Sequence, residues 1–238
     1  MKTFALVVAM STLAGAAPDP RMLTIMVTGS LHGDEVPVDV GGDWFALVAE
    51  GTGASLHPVQ LRLTPEEDMI MMDTAGAKTG RRVEIDSDVE SIALLEGPAW
   101  ITPGPLPTSL VNQAMDAGAS VEARVGHGSY HLSVLCRDVV PRIDEYRRQT
   151  CGLTLRSEHA RQTLFTYSAA FSGRERMWAA EKAPVVLWAG DLDGDGRLDV
   201  LLDTSHSSNE QAMRLFLSST ATAGQLVSEV ANFRHYGC

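Results

Sequence analysis

"WAGDLDGDGRLDVLLDTS", Trp188–Ser205, places five aspartates between positions 191 and 203, with apolar runs on either side. Like charges this close repel, and each carboxylate resists losing its water, so the crowding calls for a positive partner. The flanks decide the fold. "VVLWAG" (185–190) and "LDVLL" (198–202) are short apolar runs of strand length, too short for core helices. "DG" pairs between them mark a turn. The stretch 185–203 therefore reads as a β-hairpin that carries its aspartates at the turn.

The same pattern of short runs and turn signals extends in both directions. Strand-like segments are Met22–Gly29, Trp44–Glu50, His57–Thr64, Arg82–Ile85 and Ser91–Glu96. "GTG" at Gly51–Gly53 turns the second toward the third, and "GHG" at Gly126–Gly128 joins "SVEARV" to "SYHLSVLC" as a hairpin. "LTLRS" and "LFTYSAAF" come next, and after the aspartates come "MRLFLSS" and "LVSEVANF". Two segments read as short helices, Thr108–Gly118 with Ser109 as cap and Gly118 as stop, and Pro141–Gln149. The expected fold is mainly β: antiparallel, sandwich-like or partly barrelled sheets, one or two short helices, and the C-terminal hairpin. No repeat of 20–50 residues is visible. The proline-rich segment at 98–108 is the candidate boundary within an otherwise single domain spanning 17–238.

Residues 1–16 have the layout of a secretory signal: basic Lys2, an apolar run from Phe4 to Leu13, then Ala14-Gly15-Ala16 before cleavage. The run is too short to span a bilayer, and no second long apolar run follows. This predicts a periplasmic or extracellular protein. A formal net charge of −11 disfavours nucleic acid and anionic lipid as partners and suits cations or a basic protein. An oxidising compartment predicts one disulfide among Cys136, Cys151 and Cys238. The loop between Cys136 and Cys151 makes that pair the favoured one, with a bridge to Cys238 as the alternative.

Numbered from Asp191, carboxylates fall at positions 1, 3, 5 and 9 (Asp191, Asp193, Asp195, Asp199), with Gly196 at position 6. That is the first half of a calcium loop. Alternate residues turn three carboxylates to one centre, Gly196 permits the sharp bend, Arg197 offers its backbone carbonyl and leaves its side chain to point outward, and Asp199 closes the shell, directly or through water. Hard oxygen donors in that number suit Ca2+. Position 12 is Leu202 instead of glutamate, and strands replace the flanking helices, so this is no EF-hand. Asp203 is open between a further ligand and a strand-end residue. "GDLDGDGRLDVLL" (Gly190–Leu202) resembles the FG-GAP/VCBS type of loop seen in integrin-like propellers and in many secreted bacterial proteins. That resemblance implies a calcium-holding turn between antiparallel strands. A propeller needs several blades, and one loop is present.

Other constellations are weaker. His127 and His131 span a turn and lack the glutamate of a zinc helix. "LHGDE" sets His32 beside Asp34 and Glu35, which reads equally as a polar loop. Met69, Met71 and Met72 read as apolar contact surface before a copper site. No nucleophile elbow, P-loop or dinucleotide fingerprint occurs. The expectation is a calcium-binding protein that acts by binding a protein partner, such as an immunity or inhibitor protein against a basic toxin or cell-wall hydrolase. The alternative is a calcium-dependent hydrolase, with His32, Asp34 and His206 as first suspects.

Overall fold

The computed structural model describes residues 23–36, 40–68, 72–74, 76–138, 146–172, 175–176 and 182–237. The signal-like segment 1–16, Met69, Met71 and Cys238 lie outside them. Among the described residues there are eighteen strands and no helix, in four antiparallel sheets, none of them closed into a barrel.

The central sheet is built mostly from the aspartate hairpin and the C-terminal strands. Its strands run in the order β18 (Ser228–Tyr236), β17 (Glu210–Leu217), β16 (Asp199–Asp203), β15 (Val185–Gly190), β9 (Thr108–Ala114). One outer sheet has the order β1 (Thr24–Met26), β7 (Ser91–Glu96), β3 (Trp44–Glu50), β4 (Gly53–Val59), β8 (Gly104–Leu106). A small sheet of β2 (Gly29–Leu31), β6 (Gly80–Ile85) and β5 (Leu61–Glu66) accompanies it. The other outer sheet is a meander: β10 (Ser120–Val125), β11 (Gly128–Asp138), β12 (Tyr146–Arg156), β13 (Arg161–Ser172), β14 (Glu175–Arg176).

The central sheet is covered on both faces. Trp188, Leu201, Met213, Leu215, Leu217 and Phe233 join the core of the N-terminal sheets. Their neighbours Val186, Ala189, Val200, Leu202 and Phe216 join the core of the meander. Side chains alternate across a strand, so a strand buried on one face alternates apolar with polar, and a strand buried on both faces is apolar throughout. That is why "DVLL" and "LFL" show no polar alternation, while "SVEARV" in the meander does.

One helix expectation fails, and the described part of the other is strand. Thr108–Ala114 is β9, paired antiparallel with β15 through Leu110↔Ala189 and Val111↔Trp188. Adjacent Leu110 and Val111 pack against different cores, which a strand permits and a single helical stripe does not. Ser109, expected as a cap, accepts the Arg124 backbone N–H at 2.7 Å. Asn112 takes a left-handed φ of 50°, which its short amide side chain tolerates. Of Pro141–Gln149, Tyr146–Gln149 belongs to β12, and the rest lies outside the described residues. The proline-rich 98–108 segment carries the chain from the first outer sheet, at β8, into the central sheet, at β9.

The disulfide is Cys136–Cys151, between directly opposed residues of β11 and β12 with Cα atoms 4.0 Å apart. Among the described residues no helix is long and apolar enough to cross a membrane.

Candidate metal centre

The aspartates sit in the turn between β15 and β16, whose last pair is Gly190↔Asp199. Both strands are rooted in the twice-covered sheet, so the loop has a rigid base. Gly190 is required there, because a Cβ would run into the Pro107 carbonyl and the Trp188 ring. The Asp191 N–H then donates to the Pro107 carbonyl at 2.9 Å. On the far side, Gly126 of the meander's first turn lies against the Gly196 carbonyl, which a Cβ would approach to 2.6 Å.

Inside the loop each carboxylate has its own partners. Asp191, nearly buried, accepts three backbone N–H groups: Gly194 at 2.8 Å and Asp195 at 3.1 Å on Oδ1, and Gly196 at 2.9 Å on Oδ2. Asp193 accepts the Asp195 N–H at 3.2 Å and the Ser219 hydroxyl. Asp195 accepts the Arg197 N–H at 2.8 Å and the Ser218 hydroxyl at 2.9 Å. Gly194 and Gly196 have φ of 75° and 78°, the left-handed bends that aim successive N–H groups inward.

Oxygen atoms of Asp191, Asp193 and Asp195 lie within 4.8 Å of one another and could hold a metal ion. Burial holds the Asp193 carboxyl above the usual range, with the charges of Asp195 and Asp191 adding to it. A cation among them would offset that repulsion.

Asp199 and Arg197 have further partners of their own. Asp199 is fully buried and stands outside that group of three. Its Oδ2 accepts the Leu192 N–H at 2.8 Å, and its Oδ1 accepts the Ser218 N–H at 2.8 Å and hydroxyl at 3.0 Å. Burial, followed by the charge of Asp193, pushes its carboxyl up to about 8. Asp199 thus fastens both ends of the loop to the end of β17. Arg197 departs from the expectation of an outward side chain. Its guanidinium folds back on Asp195, with Nη2 2.6 Å and Nε 2.9 Å from Oδ2. Asp203 stands at the opposite end of β16, about 13 Å along a strand of this length. There it accepts the Ser205 N–H at 2.8 Å, as an ordinary turn residue does.

Ser218 and Ser219 are the participants that sequence reasoning missed. They come directly after β17 and are some twenty residues from the aspartates, and "SST" carries no metal signal of its own.

The suspected catalytic residues do not form a set. His32 donates Nδ1–H to Asp68 at 2.6 Å and Nε2–H to the Tyr236 carbonyl at 3.0 Å. The Asp68 carboxylate holds the imidazole above its usual range, against the opposing effect of burial, with Glu35 adding to it. A ring with both N–H groups engaged has no lone pair for base catalysis. His206 lies with its ring 6.1 Å from that of Phe165, in a different cavity. Asp34 lies exposed at the surface. Ser55, His57 and Glu50 also resemble a triad, with Ser55 Oγ 2.8 Å from His57 Nε2. The same Nε2 faces Glu50 at 3.3 Å, so one nitrogen would serve as both base and oriented donor, and no relay results. His127 occupies the two-residue turn between β10 and β11, and His131 pairs across to Glu122.

Compared with protein-family models, curated proteins and solved structures, the chain matches none.

Proposed function

We propose that this chain is a secreted or periplasmic calcium-binding β-protein whose role is to bind a protein partner. The observation that carries the reading is the convergence of Asp191, Asp193 and Asp195 on a loop whose two strands are buried on both faces. Carboxylate donors at alternating positions around a glycine bend favour Ca2+ over softer or smaller cations, as in the FG-GAP/VCBS type of loop. Asp199 fastens the loop to Ser218 and closes the shell, directly or through water. Calcium is a structural staple in this reading: it holds the turn that joins the central sheet to Ser218 and to the meander's Gly126. The Cys136–Cys151 disulfide supports an oxidising compartment outside the cytoplasm.

The partner role rests on charge. A net charge of −11 steers a basic protein toward the surface, as an immunity or inhibitor protein requires. The hydrolase alternative depends on His32, Asp34 and His206 acting together, and their separate partners weigh against it.

The test is a pull-down from the native periplasm with the purified protein, in calcium and in EGTA, beside an Asp191→Ala/Asp195→Ala variant. A basic protein retained by the wild type in calcium, and lost in EGTA or with the variant, is the expected result. Identical captures in all arms would remove calcium from the partner interaction, and turnover of a cell-wall substrate would favour the hydrolase.

A further inference from the structure

The end of β18 meets the loop after β2 in a second cluster, separate from the aspartate turn. His235 Nδ1 is 2.7 Å from Glu35 Oε2, and the rings of His235 and His32 are 5.6 Å apart. Glu35 also accepts the His32 backbone N–H at 2.8 Å and the Tyr236 N–H at 3.3 Å. His32, Glu35 and His235 are each less than a fifth exposed. His32 and His235 border a cavity of about 410 Å3, which Asp68 also lines.

We propose that His32, Glu35 and His235 form a binding site for a zinc-type divalent cation, distinct from the aspartate loop. One ligand atom from each of the three lies within 4.8 Å of the others. Two imidazoles and one carboxylate are the protein ligands of a zinc site that keeps a further position open. Tetrahedral donors on bonds of about 2.1 Å stand about 3.4 Å apart, a change that small rotations of these side chains cover. Asp68 supplies the support such a site needs. Its side chain is 3% exposed and takes the Nδ1–H of His32 at 2.6 Å, which leaves Nε2 as the ligand atom. A carboxylate behind a ligating histidine fixes the ring and its tautomer. On binding, zinc displaces the proton that Nε2 now donates to the Tyr236 carbonyl. The bound ion would tie the end of the central sheet to the small N-terminal sheet, a join between segments about two hundred residues apart in sequence.

The experiment is a zinc titration of the full-length, disulfide-bonded protein against a chromophoric chelator, with calcium present to saturate the aspartate loop. One zinc per chain at micromolar or tighter Kd is expected. His235→Ala and Glu35→Gln should each weaken it by at least about 100-fold, and Asp68→Asn by about 10- to 100-fold. Asp191→Ala/Asp195→Ala should leave it unchanged. Glu35→Gln keeps one oxygen to accept the His32 backbone N–H and the His235 ring N–H and gives up only the longer 3.3 Å bond from the Tyr236 N–H, so it decides the matter where His235→Ala fails to fold. No zinc uptake by the wild type, or uptake that Glu35→Gln leaves intact, overturns the proposal. Zinc lost only with the Asp191→Ala/Asp195→Ala variant would assign it to the aspartate loop and overturn the proposal equally.

Discussion

Asp191→Ala separates the two things the loop carboxylate does. In the chain itself Asp191 accepts three backbone N–H groups, from Gly194, Asp195 and Gly196. Two of those donors belong to exposed glycines, so water replaces part of what is lost, and the cost is about 1–3 kcal/mol in total. The second role appears only with calcium. A ligand at about 100 times its Kd stabilises the state that binds it by about 2.7 kcal/mol. The variant should therefore lose about 1–3 kcal/mol in EGTA and about 4–6 kcal/mol in saturating calcium. For a chain of this size each kcal/mol moves Tm by about 2–4 °C. The deficit in Tm should be about 2–12 °C in EGTA and should grow by about 5–11 °C in calcium. Thermal unfolding followed by circular dichroism, in paired buffers, measures both. A deficit that is the same with and without calcium would refute the assignment of Asp191 as a ligand. A wild type whose Tm ignores EGTA would refute the staple as a whole.

Three further outcomes rest on the packing. Gly126→Ala puts a methyl group 2.6 Å from the Gly196 carbonyl at a φ of 55°, so it should cost about 1–3 kcal/mol and weaken calcium affinity with every aspartate in place; calcium titration with unchanged affinity would show the two turns to be independent. Replacing both Cys136 and Cys151 with Ala opens a loop of sequence separation 15 and should cost about 3 kcal/mol, read as a lower urea midpoint, whereas a midpoint equal to wild type would deny the bridge a stabilising role. Trp188→Ala empties the centre of the covered sheet and should cost about 3–5 kcal/mol, while Trp188→Phe leaves the Thr108 hydroxyl without its 3.0 Å indole partner and should cost less; equal losses in a denaturation series would contradict the packing account.

The strands were legible because the local pattern and the final environment agree. Trp44–Glu50 and Ser91–Glu96 are strands with those same boundaries, and the Gly126–His127 turn joins its two strands as read. The Thr108–Ala114 segment misled because "TSLVNQA" has an adequate cap and no β-turn signal. Its strand state is imposed by β15, which presents its outer edge with an apolar residue on each face. Met22–Gly29 contains pieces of two strands, which enter different sheets. The run is mostly apolar, so nothing local marks where one ends.

The spacing of Asp191, Asp193, Asp195 and Gly196 by itself determined that three carboxylates would face one centre, because alternate residues around a tight bend can turn nowhere else. It also placed the bend on a hairpin, since the flanks are too short and too apolar for helices. Tertiary structure alone decided what surrounds that centre. The same spacing that made Asp199 look like a ligand also sets it at the first position of β16. There the end of β17 presents the Ser218 N–H and hydroxyl to it. Only the folded chain brings that distant segment to Asp199, which no spacing within the loop could show. The cluster of His32, Glu35, Asp68 and His235 is the extreme case: "LHGDE" shows His32 and Glu35, but no local pattern joins them to Asp68 or His235, and only the approach of the end of β18 to the small sheet brings them within hydrogen-bonding distance.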